Sequence, residues 1–367
     1  MTLRNNANID VHIHVLPPSF QKALQANGGD PTGWPVPSWT SDECKDFCDS
    51  VQTSFAVLSV TAPGASLFGP TAAGRDLART MNEEVAEICL SSDGRFGFFA
   101  SLPDWNDVEG TLIEIKRIFG SAQAQAQAQA RGVIAMSSYG NKLAGDAAFK
   151  PIWDALNEER ALVLLHPTDM VLKPTQISDF LPQPVVDFPQ ATTRAVASLI
   201  YGGVLKSCAQ VDIILSHAGG TFPFLAERIL GALSVPALSA AAGIDAEEGR
   251  ALASRFYYDV ALATSPAQLK ALLATTTADH ILFGTDFPYA PTPFIHRGFK
   301  RYATFVRQEP EGSQLSPEQL SANAVALFAK HNRSNLPAPS TSLFSSNASK
   351  SDSIEAAEAR KMLFQQM

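Results

Sequence analysis

Eight short runs rich in β-branched and aromatic residues recur along the chain, each followed by a stretch with helical periodicity. The runs are Ile9–His14, Phe55–Val60, Phe96–Ser101, Gly132–Met136, Ala161–His166, Val211–Ser216, Phe256–Val260 and Ile281–Thr285. Between them lie helical patterns such as Asp76–Leu90, Asp107–Phe119, Pro151–Glu159, Thr192–Lys206, Pro223–Leu233 and Pro266–Ala274. Several open on proline, whose missing N–H costs nothing in a first helical turn. Strands separated by helices pair in parallel, because a tight hairpin cannot return the chain in the same direction. Eight such units predict an α/β fold, a (β/α)8 barrel of the TIM type. An open doubly wound sheet is the alternative, but the first strand runs into His14-Val15-Leu16-Pro17-Pro18, where that fold carries a glycine-rich phosphate loop.

The chain has enough apolar material for one large core. Of 367 residues, 46% are hydrophobic and only 17% charged, which excludes wholesale disorder. A net charge of −8 argues against a nucleic-acid or anionic-membrane partner, since no excess of cations is available to replace phosphate counterions. No run of about 18 apolar residues reads as a membrane span, and the polar start Met1–Asn8 lacks a secretory signal, so a cytoplasmic location is expected. The four cysteines, Cys44, Cys48, Cys89 and Cys208, read as reduced thiols. Two segments look dispensable to the fold. Residues 121–130 form a small/polar repeat, SAQAQAQAQA, with nothing large to bury. After His331 the composition turns to Ser, Pro and Asn, so the barrel is expected to occupy 1–331 and a tail 332–367.

In a barrel of this kind reacting groups sit at the C-terminal ends of strands, and these ends are selective. The first strand ends Asp10-Val11-His12-Ile13-His14. Alternate residues share a face, so His12 and His14 point together while Val11 and Ile13 pack the other way. Strand five ends on His166, strand six on His217 and strand eight on Asp286. One such histidine at a strand end is ordinarily a satisfied polar residue. Five His and Asp side chains converging on one end of a barrel instead suggest a metal. Asp10, in phase with both histidines, reads as a hydrogen-bond acceptor behind the ligands, and Asp259 as structural or as a support of the same kind. His280 opens strand eight at the opposite face, and His331 reads as the partner of a helix C-terminus. His296, in the loop after Asp286, is within reach of the site and is a candidate substrate contact. Trp34, Trp39, Phe287 and Tyr289 fall on loops that can wall an aryl pocket.

These motifs resemble the amidohydrolase superfamily, within it the metal-dependent, non-oxidative decarboxylases related to aminocarboxymuconate-semialdehyde decarboxylase, and within those the fungal 6-methylsalicylate decarboxylases of polyketide pathways. DVHIHVLPP, GDAAFKPIWDALNEERALVLLHP, SHAGGTFPFLAERI and ILFGTDFPYAP carry the likeness, which runs from Asn8 to about His331. The resemblance implies that His12, His14, His166 and Asp286 hold one divalent metal, with His217 beside it as an acid/base or substrate-polarising group. Binuclear relatives bridge two metals with a lysine at the end of strand four; here that strand ends Val-Ile-Ala-Met-Ser-Ser, implying a single ion. Some resorcylate-type relatives have Glu where this chain has His12, and an imidazole-rich set favours zinc over manganese or magnesium. Arg228 matches an arginine that, in the muconate-semialdehyde relatives, reaches a carboxylate in the neighbouring subunit's site, implying at least a homodimer.

The chemistry implied is loss of carbon dioxide from an ortho-hydroxy aromatic acid, 6-methylsalicylate giving 3-methylphenol. Asp286 is the candidate proton donor with His217 tuning it, or the reverse. No nicotinamide, flavin or pyridoxal signature is present, so no organic cofactor is expected. The competing reading is a mononuclear zinc hydrolase that cleaves a lactone or amide with the same ligands.

Overall fold

A computed structural model describes residues 8–120, 130–170 and 177–331. The repeat at 121–129 and the tail 332–367 lie outside the described residues. Eight strands follow one another round a single parallel sheet: β1 (Asn8–His14), β2 (Thr53–Ser59), β3 (Phe96–Ser101), β4 (Ala130–Met136), β5 (Leu162–His166), β6 (Asp212–Leu215), β7 (Tyr257–Asp259) and β8 (Ile281–Leu282). The sheet closes on itself beyond β8, where Phe283 bridges in parallel to Asp10 and accepts the Val11 N–H at 3.0 Å. This is the expected (β/α)8 barrel. Both faces of each strand are covered, one by the barrel interior and one by the helical layer, so β1, β3 and β5 are buried at every position.

Side-chain caps set the starts of the outer helices. Thr71 accepts the Gly74 N–H at the head of Ala72–Leu90, and Asp107 accepts the Gly110 N–H before Val108–Phe119. Ser265 and Gln268 form a reciprocal capping box before Pro266–Thr275.

The structure departs from the sequence reading in three places that matter. The long helix expected over Thr192–Lys206 is two pieces, Asp187–Tyr201 and Val204–Ser207, because Gly203 takes a left-handed φ of 75° between them. The regular part of β8 is short, since the chain leaves the sheet at Gly284 and turns through Asp286, whose φ is 65°. His296 lies on the helix Thr292–Gln308 and not in a loop, because Pro291 starts a helix directly after the turn.

Candidate metal centre

Strand alternation delivers His12 and His14 to the barrel mouth, both fully buried. Their Nε2 atoms are 3.3 Å apart. Asp286 Oδ1 lies 3.0 Å from His14 Nε2 and 3.5 Å from His12 Nε2. Two donors bound to one ion at about 2.0–2.1 Å in a tetrahedron are separated by roughly 3.3–3.4 Å, so this triangle has the dimensions of one face of a coordination sphere. The His166 ring stands edge-on to both, its centroid 5.2 Å from that of His12 and 4.9 Å from that of His14. Asp286 Oδ2 faces His217 Nε2 at 3.5 Å. Ligand atoms of His12, His166, His217 and Asp286 all lie within 4.8 Å of one another. The five residues thus form one cluster, within which His12, His166, His217 and Asp286 are close enough together to hold a metal ion.

The second nitrogen of each ring separates the histidines. His14 Nδ1 lies 3.1 Å from the Ser59 carbonyl, and His166 Nδ1 lies 2.7 Å from the Pro167 carbonyl. A carbonyl only accepts, so both Nδ1 atoms carry the proton and the Nε2 lone pairs face the centre. His12 Nδ1 meets Asp259 Oδ2 at 2.9 Å in the same arrangement. His217 Nδ1 is buried and has no hydrogen-bond partner among the described residues.

Electrostatics favour neutral rings at His14 and His166, and a protonated His12, beside an ionised carboxylate. Burial pulls His14 below the usual histidine range against the pull of Asp286, and burial, together with the neighbouring imidazoles, holds His166 well below it. Burial acts on His12 in the same sense, but the Asp259 and Asp286 carboxylates outweigh it and push the ring up to about 10. For Asp286 burial is likewise overcome, by the neighbouring His12, His14 and His217 rings, which keep it well below the usual carboxylate range. A divalent cation fits this donor set by taking the place of a proton on His12, since unprotonated nitrogens and a carboxylate oxygen are what it binds.

Asp10 is buried and accepts the His12 N–H at 3.0 Å and the Thr285 hydroxyl at 2.7 Å. The Thr285 and Asp286 N–H groups both donate to the His12 carbonyl, at 3.1 and 2.8 Å. The turn bearing Asp286 is therefore tied to β1. His217, Ala218 and Asp286 hold left-handed φ values of 53°, 54° and 65°, sparsely populated for side-chain-bearing residues.

Other candidates fall elsewhere. His296 Nε2 is 3.1 Å from Ser50 Oγ, so the structure does not bring it to the cluster; its helical position turns it toward the neighbouring helix Ser41–Ser50. Phe287 stacks on Phe47 at 4.0 Å, and its carbonyl accepts the His14 N–H at 2.7 Å. Arg228 is exposed on Phe222–Gly231, while its neighbour Glu227 pairs with Arg250 at 2.9 Å. His280 sits at the base of β8 and packs at a tilt of 32° against Tyr257, ring centroids 4.4 Å apart. His331 is held by the Arg160 carbonyl and by Asp212 in addition to ending a helix. Tyr289, expected as a pocket wall, stands edge-on to His14 at 5.6 Å, and its buried hydroxyl has no partner among the described residues. Its place three residues after Asp286 was the available signal.

An eight-stranded parallel barrel with a histidine and aspartate cluster at the C-terminal strand ends defines a metal-binding barrel of the hydrolase and lyase kind. The chain belongs to the amidohydrolase family, whose model matches residues 9–332. A 6-methylsalicylic acid decarboxylase from Penicillium expansum is 37% identical over 327 residues, covering 88% of this chain and 97% of that protein. A protein of the same description from Aspergillus aculeatus is 36% identical over 335 residues, covering 89% and 97%. The structure of a dihydroxybenzoic acid decarboxylase from Polaromonas sp. JS666, with bound manganese and the inhibitor 2-nitroresorcinol, matches with a TM-score of 0.67 at 20% identity, covering 88% of this chain and 97% of that one. At that identity the likeness concerns the fold.

Proposed function

We propose that the protein is a metal-dependent carboxy-lyase that removes carbon dioxide from an ortho-hydroxy aromatic acid, 6-methylsalicylate giving 3-methylphenol. The substrate rests on the two fungal relatives, each matched over nearly its whole length. The observation that carries the chemistry is the divided role of Asp286, with one oxygen against His12 and His14 and the other against His217.

His12, His14, His166 and Asp286 are the proposed ligands, because the three imidazoles have their Nδ1 atoms tethered and their Nε2 atoms free. One divalent ion bound there supplies a chelating centre for the carboxylate and ortho oxygen of the acid and stabilises their negative charge. Zinc suits the imidazole-rich set, whereas the Polaromonas relative holds manganese. The aromatic ring must accept a proton at the carbon bearing the carboxylate; the electrons of the breaking C–C bond then return to the ring as carbon dioxide leaves. Asp286 and His217, 3.5 Å apart, share that proton and place it on the ring face. Two such groups titrate as a pair. Tyr289, edge-on to His14, walls the ring, and Arg228, exposed on its helix, reaches a second copy in a homodimer. A cytoplasmic location fits four cysteines that are all free and buried. Among the described residues no single helix is long and apolar enough to cross a membrane.

Products formed from a panel of hydroxybenzoates test the reading. 6-Methylsalicylate is expected to give 3-methylphenol and carbon dioxide without oxygen or an organic cofactor. In deuterated water the product should carry one deuterium at the carbon that lost the carboxylate. The para-hydroxy isomer, which cannot chelate through both groups, should react orders of magnitude more slowly. Hydrolysis of a lactone or amide, with no carbon dioxide from any ortho-hydroxy acid, would overturn it.

A further inference from the structure

We infer that Asp259 is a positioning residue that holds two parts of the centre at once: it sets the tautomer of His12 through one oxygen and the backbone conformation of His217 through the other. The inference rests on the ligand assignment proposed above and adds the group that enforces it. Asp259 is fully buried at the end of β7. Its Oδ2 lies 2.9 Å from His12 Nδ1. Its Oδ1 accepts two backbone N–H groups, from His217 at 3.1 Å and from Ala261 at 2.9 Å.

Each contact has a consequence. A metal-binding imidazole keeps one N–H, and placing it on Nδ1 leaves the Nε2 lone pair directed at His14 Nε2 and Asp286, where an ion would bind. His217 has a φ of 53° and Ala218 one of 54°, an arrangement that persists only if the surroundings hold it. The N–H donated to Asp259 is a restraint acting on the first of these two residues. Gly284 packs against the pair without a side chain: a β-carbon on it would come within 2.9 Å of His12 Cβ and 3.1 Å of Asp259 Cβ. Asp259 touches neither the ion nor the acid in this scheme; it acts through His12 and His217.

The isosteric variant Asp259→Asn exposes the role. If its amide oxygen keeps the two backbone N–H groups, its NH2 faces His12 Nδ1, forcing the proton to Nε2 and closing the lone pair. If the amide is turned, NH2 faces two N–H donors and His217 loses its restraint. Either orientation breaks one contact. Asp259→Asn should therefore fold with a melting temperature near that of the parent and lose one of two properties: affinity for zinc or manganese, titrated into the metal-free protein, falls about 10- to 100-fold in the first orientation, and kcat at saturating metal falls in the second; parent-like values of both would overturn the inference. Asp259→Ala, which removes both contacts, should lose affinity and also keep a lowered kcat at saturating metal, with KM little changed.

Nitrogen-15 NMR of the metal-free parent supplies a readout that needs neither variant nor substrate: His12 should be protonated at Nδ1. A parent with His12 protonated at Nε2 alone, or Asp259→Ala with unchanged metal affinity, would overturn the His12 half. Parent-like kcat in metal-saturated Asp259→Ala would overturn the His217 half. Metal affinity and tautomer are read without any turnover, so a failure of the decarboxylase reading would leave them interpretable.

Discussion

His217 differs from the other three histidines of the cluster by a single hydrogen bond. His12, His14 and His166 each have Nδ1 anchored to an acceptor, whereas His217 Nδ1 has none among the described residues and its Nε2 meets Asp286 Oδ2. An anchored imidazole presents a fixed lone pair and suits a structural bond to an ion; an unanchored one is free to exchange a proton. Replacing His14 or His166 by Ala should therefore lower metal content and activity together, each variant losing one bond of the proposed single-ion site. His217→Ala should keep most of its metal while turnover falls at least about 100-fold, the ordinary scale of lost acid-base assistance. Elemental analysis beside steady-state rates checks the split, and stoichiometric metal with full activity in His166→Ala would remove it from the ligand set. The residue types and strand-end positions of this cluster were legible in the sequence. The Ser59 and Pro167 carbonyls that orient the rings were not, because any residue type offers a carbonyl.

Between elements, the last helix is fastened to the base of the barrel by buried charge. Asp212, the first residue of β6, accepts His331 Nε2 at 2.8 Å and Lys330 Nζ at 2.6 Å, and His331 Nδ1 lies 2.6 Å from the Arg160 carbonyl. Burial would raise the Asp212 carboxyl, but His331 and Lys330 prevail and hold it below the usual range. A carboxyl depressed on folding adds stability that is present above its unfolded value, about 3.9, and is lost as pH falls through the lower folded one. Asp212→Asn should thus cost about 1–3 kcal/mol at neutral pH, with the gap to the parent closing as pH drops below about 4. Thermal melts across that range check it, and a gap that does not change with pH would show that the loss is steric. The sequence signalled His331 only as a helix end; its two partners lie 119 and 171 residues away in the chain.

For the whole molecule, the fold repeats one unit eight times, and the alternation of apolar runs with helical patterns was enough to read it. Element edges were read less well. The broken helix at Gly203 and the early exit of the chain from β8 follow from backbone conformations that periodicity does not encode. Closure between Phe283 and Asp10 depends on the barrel as a whole. The barrel is proposed to end near His331, so a chain stopped after Asn335 should melt cooperatively within a few degrees of the parent and bind metal equally well. The tail carries too few large apolar residues to form part of a core, and a melt that loses cooperativity would place it in the packing. Sequence alone determined which side chains could bind a metal and that strand alternation would bring His12 and His14 to one face, because the two-residue period is local. Only the tertiary structure decided that Asp286 offers its two oxygens to different partners, that Asp259 spans His12 and His217, and that His296 turns to Ser50. Those relations join segments far apart in the chain, and they come into being only when the sheet closes and fixes the distances between strand ends.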